Sequence, residues 1–174
     1  MKKISKPLGG YAPFYQSYMD KVPDDGNLLQ HLINIEAETE NLVSKLSDTQ
    51  LHYRYSDGKW TIKDILVHLA DCERIFIYRA TRIARGDKTD LPGFDENLFA
   101  ANANANKRNI RDILRELKAF RASSLIFIES LEEDVFNRTG TANGYPMSVG
   151  LLVNHIYGHH QHHLAIIKEK YLVA

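Results

Sequence analysis

Four segments of this chain repeat their apolar residues at three- and four-residue spacing, and that periodicity leaves little choice of fold. The first, about Asn27 to Leu46, carries Leu28, Leu32, Ile35, Leu42 and Leu46 on one face, with Glu36, Glu38 and Glu40 mostly towards solvent. The second follows Trp60 and aligns Ile62, Ile65, Leu69, Cys72, Phe76, Ala80 and Ile83. The third begins at Asn109 and faces Ile110, Ile113, Leu114, Leu117, Phe120, Leu125, Ile128 and Leu131 inward. The fourth spans Val149 to Lys170 with Val149, Leu152, Val153, Ile156, Ile166 and Ile167. A helix with one apolar stripe must bury that stripe. Four such helices bury theirs against one another, so the predicted fold is an all-α four-helix bundle. Strand-like alternation is almost absent, and essentially no sheet is expected. The loop lengths allow one or two crossover connections and leave the topology open.

Local signals place the helix ends. Asp57-Gly58 marks a turn. Thr61 with Asp64 three positions later resembles a capping box for the second helix, and Gly86 is a plausible stop. Asn109 and Ser148 are suitable caps for the third and fourth helices. Between Asp87 and Asn109 runs a long connection with Leu91-Pro92-Gly93, a short helix from about Asp95 to Ala103, and a polar Asn/Ala run. Gly140 to Pro146 reads as a second loop. No repeat or low-complexity linker divides the chain, which is read as one domain, 1–174.

Lys plus Arg and Asp plus Glu are both 22. That balance argues against nucleic acid as a partner, which normally selects a basic face. No stretch approaches a membrane span. Two lysines near the N-terminus lack an apolar core behind them, so no secretory signal is read. Cys72 is the only cysteine and rules out an intrachain disulfide. A cytoplasmic protein acting on a small molecule, with no membrane partner, is the expectation. A homodimer is expected too, without a motif that marks its surface.

The fourth segment holds the chemistry. His155, His159, His160, His162 and His163 fall within nine residues. His159 and His163 occupy the stripe where leucines are expected, one helical turn apart and side by side. Burying two imidazoles without partners is costly, and a metal ion resolves both facts. At about 100° per residue, His163 lies near the centre of the apolar arc and His159 at its edge. His155 and His162 turn further towards solvent, and His160 lies on the opposite edge. A third ligand must come from another helix, and a catalytic site of this kind leaves one position open. His68 is the only histidine of the second helix and borders its stripe; a lone histidine there is more often a hydrogen-bonded core residue than a ligand. His52 reads as lying outside regular structure, and His31 neighbours exposed residues.

Two stretches carry a resemblance. Trp60-Thr-Ile-Lys-Asp-Ile-Leu-Val-His68-Leu-Ala-Asp71-Cys-Glu73-Arg74 and Ser148-Val-Gly150-Leu-Leu-Val-Asn-His155-Ile-Tyr-Gly-His159-His-Gln-His-His163 resemble the DinB/YfiT-like superfamily. The likeness extends over nearly the whole chain, including Phe94-Asp95 and the loop from Arg138 to Met147. It implies an up-down-down-up bundle and a divalent metal, zinc or nickel, held by His68, His159 and His163. It also tilts the reading towards transfer of a low-molecular-weight thiol, the thiol then being a cosubstrate, with metal-dependent hydrolysis as the alternative. The alternative outside catalysis is a metal-binding stress-response bundle.

Glu73 and Arg121 sit inside the apolar arcs of the second and third helices. Buried charges are normally paired, so an ion pair tying two helices is expected; the functional alternative is a group orienting a metal ligand or the substrate. Asp71 points outward. Cys72 lacks an electropositive activator and reads as a small core residue. Trp60 reads as a packing anchor at the helix start.

Overall fold

The computed structural model describes residues 1–172. Its helices are α1 (Gln16–Met19), α2 (Leu28–Val43), α3 (Asp48–His52), α4 (Ile62–Ala84), α5 (Glu96–Asn102), α6 (Ile110–Ser130) and α7 (Val149–Ile166). The expected caps form. Thr61 and Asp64 make a reciprocal capping box on α4, Asp95 and Asn109 cap α5 and α6, and Ser148 accepts from the Leu151 amide at the start of α7.

Side-chain contacts give the direction of each long helix. His31 meets Tyr157 and Glu38 meets Lys168, so α2 and α7 run parallel. Phe76 packs on His155 and His68 on His163, so α4 and α7 are antiparallel. Arg121 reaches the Leu32 carbonyl and Lys118 reaches Glu40, which makes α2 and α6 antiparallel. The bundle is therefore up-down-down-up. Each of α2 and α4 packs against both α6 and α7. Two apolar clusters fill it, one around Leu32, Phe76, Ile128 and Leu152, the other around Ile62, Leu66, Ile113 and Leu117.

The structure departs from the sequence reading in three places. The Gly140–Pro146 loop is a hairpin, β1 (Thr139–Ala142) against β2 (Tyr145–Ser148), paired from Thr139↔Ser148 to Ala142↔Tyr145. Asn143 and Gly144 both take positive φ (54° and 74°), the conformation a two-residue turn of matching twist requires. The α7 helix is not a one-striped surface helix: from Val149 to His160 only Tyr157 is not fully buried. His52 is the last residue of α3, not outside regular structure.

The N-terminal segment, silent in the sequence, packs α1 against α7 with Met19 wholly buried. Gly158 permits that approach: a Cβ there would lie 2.4 Å from the Tyr18 carbonyl oxygen. Beyond α7 a π-helical turn, Ile167–Tyr171, carries the chain back over the start of α4, and the Tyr171 hydroxyl donates to the Trp60 carbonyl at 2.5 Å.

Candidate metal centre

His68 stands seven residues beyond the capped start of α4, and His159 and His163 stand one turn apart late in α7. Because α4 and α7 are antiparallel neighbours, the three rings meet. The Nε2 atom of His159 is 3.1 Å from Nε2 of His68 and 3.1 Å from Nε2 of His163. The His68 and His163 ring centroids are 4.9 Å apart. Trp60 covers the cluster, its ring centroid 4.6 Å from that of His68 and stacked at 6.3 Å on His163. The Cys72 sulfur lies 3.6 Å from both ring nitrogens of His68.

The depth order differs from the helical-wheel expectation. His68 and His159 are 4% and 6% exposed, whereas His163 is only half-buried at the rim. His159 is the deep member of the α7 pair. His155 and His160 are buried as well, which corrects the solvent-facing and edge positions read for them. The cause is the central position of α7, which leaves it no solvent face along most of its length.

Burial governs the protonation of the cluster. It pushes His68 down to about 4 and His163 down to about 3, with the His68 and His162 rings adding to the effect. His159 is held well below the usual imidazole range by burial and then by its neighbours His163 and His68. All three rings are neutral at pH 7, with lone pairs available. Desolvation also raises the Cys72 thiol, with Glu96 and Asp71 adding. It stays a protonated core group beside His68.

The donor set suits a divalent ion. Nitrogens bound 2.0–2.1 Å from a tetrahedral zinc lie roughly 3.3–3.4 Å apart, close to the 3.1 Å separations of these Nε2 atoms. His159 Nε2 faces the Nε2 atoms of both other rings, and its single proton or lone pair can serve only one of them. His68, Cys72 and His159 offer ligand atoms within 4.8 Å of one another, so the thiol adjoins the centre.

Glu73 and Arg121 do come together. Arg121 Nε donates to Glu73 Oε1 at 2.9 Å, and Nη2 to Oε2 at 2.9 Å. Nη1 donates to the Leu32 carbonyl at 2.6 Å. Nη2 also meets His160 Nδ1 at 3.2 Å, and His160 Nε2 meets the Thr39 hydroxyl at 2.9 Å. An arginine cannot accept, so His160 accepts at Nδ1 and donates from Nε2; Thr39 in turn donates to the Ile35 carbonyl. This closed network links α2, α4, α6 and α7. Asp71, partly exposed as expected, pairs with Arg74.

Two cavities adjoin the triad. One, of about 280 Å³, is lined by Tyr15, Tyr18, Phe76, Arg79, Cys72 and His159, among others. The second, of about 230 Å³, is lined by Trp60, Lys59, Tyr55, His163 and Tyr171. Glu96, at the start of α5, is the one carboxylate on either wall. The sequence reading missed Tyr18, Arg79 and Glu96. Arg79 left a signal: it follows Phe76 by three residues, on the inward side of α4. Tyr18 and Glu96 left none, because their places depend on how α1 and α5 dock.

Three imidazoles that converge between two antiparallel helices, flanked by cavities, place the chain among helical bundles with a candidate metal centre. Residues 31–167 match the DinB superfamily, and the chain belongs to it. It is 31% identical over 127 residues to a Geobacillus thermodenitrificans protein named "Putative metal-dependent hydrolase", covering 72% of this chain and 71% of that one. A protein of the same descriptive name from Geobacillus kaustophilus is 29% identical over 136 residues, 75% of each chain. The solved structure of YfiT from Bacillus subtilis, described as "a probable metal-dependent hydrolase with an unusual four-helix bundle topology", superimposes with a TM-score of 0.74. It is 21% identical and covers 95% of this chain and 94% of that one. That likeness establishes the shared fold. No helix among the described residues is long and apolar enough to cross a membrane.

Proposed function

We propose that this chain is a metal-dependent enzyme of hydrolase type, with His68, His159 and His163 as the metal ligands and a small molecule as substrate. The observation that carries this reading is the approach of the Nε2 atoms of His68 and His163 to that of His159, each at 3.1 Å, with one cavity lined by His159 and another by His163. A divalent ion bound there supplies a Lewis acid that makes water or a thiol nucleophilic near neutral pH. Zinc and nickel both suit an all-imidazole donor set.

The rest of the work belongs to the chain. Burial keeps the three rings unprotonated at working pH, so no proton has to leave before the ion binds. Trp60 lies tilted against the His68 ring and stacked over that of His163, which restricts their rotation. Glu96 lines both cavities and is the group available to accept a proton from the attacking nucleophile.

Thiol transfer is a second reading with its own support. A hydrolase needs room for one substrate and a water, whereas two cavities, one lined by His159 and one by His163, give separate room for an electrophile and a low-molecular-weight thiol. The test is an assay of chelator-treated and zinc- or nickel-loaded protein against small esters and amides, run with and without cysteine or glutathione. Metal-dependent hydrolysis unaffected by thiol supports the hydrolase; a metal-dependent thioester product, with release of the alcohol or amine, supports transfer. A metal-loaded protein inert in both assays overturns the enzymatic reading and leaves a metal-binding bundle.

A further inference from the structure

The cavity beside His159 contains a cation without an anion. Arg79 is 4% exposed. Its Nη2 donates to the Pro92 carbonyl at 2.7 Å, and its guanidinium lies 5.9 Å from the centre of the Phe94 ring. Among the described residues no carboxylate oxygen comes within 4.0 Å of it, although Glu96 lines the same cavity. The other buried arginine shows what is missing: Arg121 binds both oxygens of Glu73, a carbonyl and an imidazole. A buried guanidinium is costly unless it is paired, and its planar fork matches a carboxylate through two parallel hydrogen bonds.

The rest of the wall agrees. Phe14, Tyr15, Tyr18, Phe76 and Phe94 surround the space with aromatic rings. His155 lines it too, and His155 Nδ1 is a buried nitrogen without a hydrogen-bond partner in a core whose polar atoms are otherwise nearly all paired. A cavity of about 280 Å³ lies at the small end of the range for small-molecule sites. We propose that this cavity is the substrate site and takes a small carboxylic acid with an aromatic or branched apolar body. Its carboxylate docks on Arg79, its body lies among the aromatic rings, and its reacting group reaches the triad at His159. This builds on the reading of the triad as the reacting centre.

The experiment titrates phenylacetate and its uncharged analogue phenylacetamide into the full chain, metal-loaded and metal-free, by calorimetry or ligand-observed NMR. Phenylacetate is expected to bind at least tenfold more tightly than the amide in both forms. The Arg79→Met variant, with unchanged metal content, is expected to lose that preference and bind both equally weakly. Equal binding of the two ligands by the wild type overturns the proposal. So does undiminished phenylacetate binding by Arg79→Met, which would put the anion on the metal or elsewhere. If Arg79→Met fails to fold, the Arg79 Nε–H resonance of the wild type decides: a shift on adding phenylacetate supports the proposal, and no shift overturns it. Metal content is measured separately, so a triad that binds no metal is told apart from a cavity that binds no acid.

Discussion

His159 and His160 are adjacent in sequence, both buried, and opposite in character. His160 faces α2 and α6, where Arg121 donates to one ring nitrogen and Thr39 accepts from the other. His159 faces α4, where its Nε2 meets two further imidazole nitrogens and no acceptor oxygen. One cluster is closed, with every side-chain nitrogen and oxygen hydrogen-bonded; in the other, His159 Nε2 meets only imidazole nitrogens. Burial by itself therefore does not mark a functional histidine. The informative difference is whether the surrounding groups satisfy it or repeat its own chemistry, as ligands to a common ion do.

The largest effect belongs to the closed cluster. Glu73→Ala or Arg121→Ala leaves a single buried charge and is expected to cost about 3–5 kcal/mol of folding stability, read by chemical denaturation. The double replacement Glu73→Leu with Arg121→Met should cost markedly less, since no charge is then stranded. A loss below about 1 kcal/mol for the single variants would show that the pair is better hydrated than its burial implies.

The histidine triad should answer to pH instead. His68 titrates near 6.5 in the unfolded chain and at about 4 in the folded one. Below pH 6.5 the unfolded chain therefore binds a proton that the folded chain refuses, and stability of the metal-free protein falls as pH drops from there towards 4. At about 1.4 kcal/mol per unit, His68 alone removes on the order of 3 kcal/mol over that window. Denaturation curves of chelator-treated protein between pH 7 and 4 measure it, and the loss should shrink in a His68→Leu variant.

A smaller effect separates α1, which carries Tyr18, from the histidine triad on α4 and α7. Gly158→Ala introduces a methyl 2.4 Å from the Tyr18 carbonyl oxygen and should lift α1 from α7 at about 1–3 kcal/mol. Metal content should be unchanged, because no ligand moves. The smallest and most diagnostic effect is one of sign. His163→Leu removes a ring whose hydrogen-bond contact is to the His159 imidazole, already claimed by His68, and should stabilise the metal-free form by about 1 kcal/mol. His160→Leu strands partners on Arg121 and Thr39 and should destabilise it by about 1–3 kcal/mol. Thermal unfolding of both variants without metal gives the comparison.

Much of this was legible before folding. The caps at Thr61, Asn109 and Ser148 were readable because they rest on local backbone chemistry. The Glu73–Arg121 pair was readable because a charge inside an apolar stripe demands a partner, and Arg79 satisfies the same criterion on α4. The pair His159 and His163 was readable from its one-turn spacing, whereas His68, bordering the second stripe, was secured as their partner by the resemblance to the DinB/YfiT-like superfamily. The relative depth of the histidines was not legible: a helical wheel assumes one buried face, and α7 is surrounded. The hairpin carried its signal in Asn143-Gly144, but four-residue strands give too little alternation to register. The cavity walls were hidden because Tyr18 and Glu96 arrive on short helices placed only by tertiary packing.

The central claim is that the two adjacent histidines serve different ends, and metal stoichiometry tests it most directly. Elemental analysis of purified, folded wild type loaded with zinc or nickel should find one ion per chain. His68→Ala, His159→Ala and His163→Ala should lose it, while His160→Ala and His162→Ala should retain it despite the lower stability of the former. Retention of the ion by His159→Ala, together with its loss from a folded His160→Ala, would contradict the account.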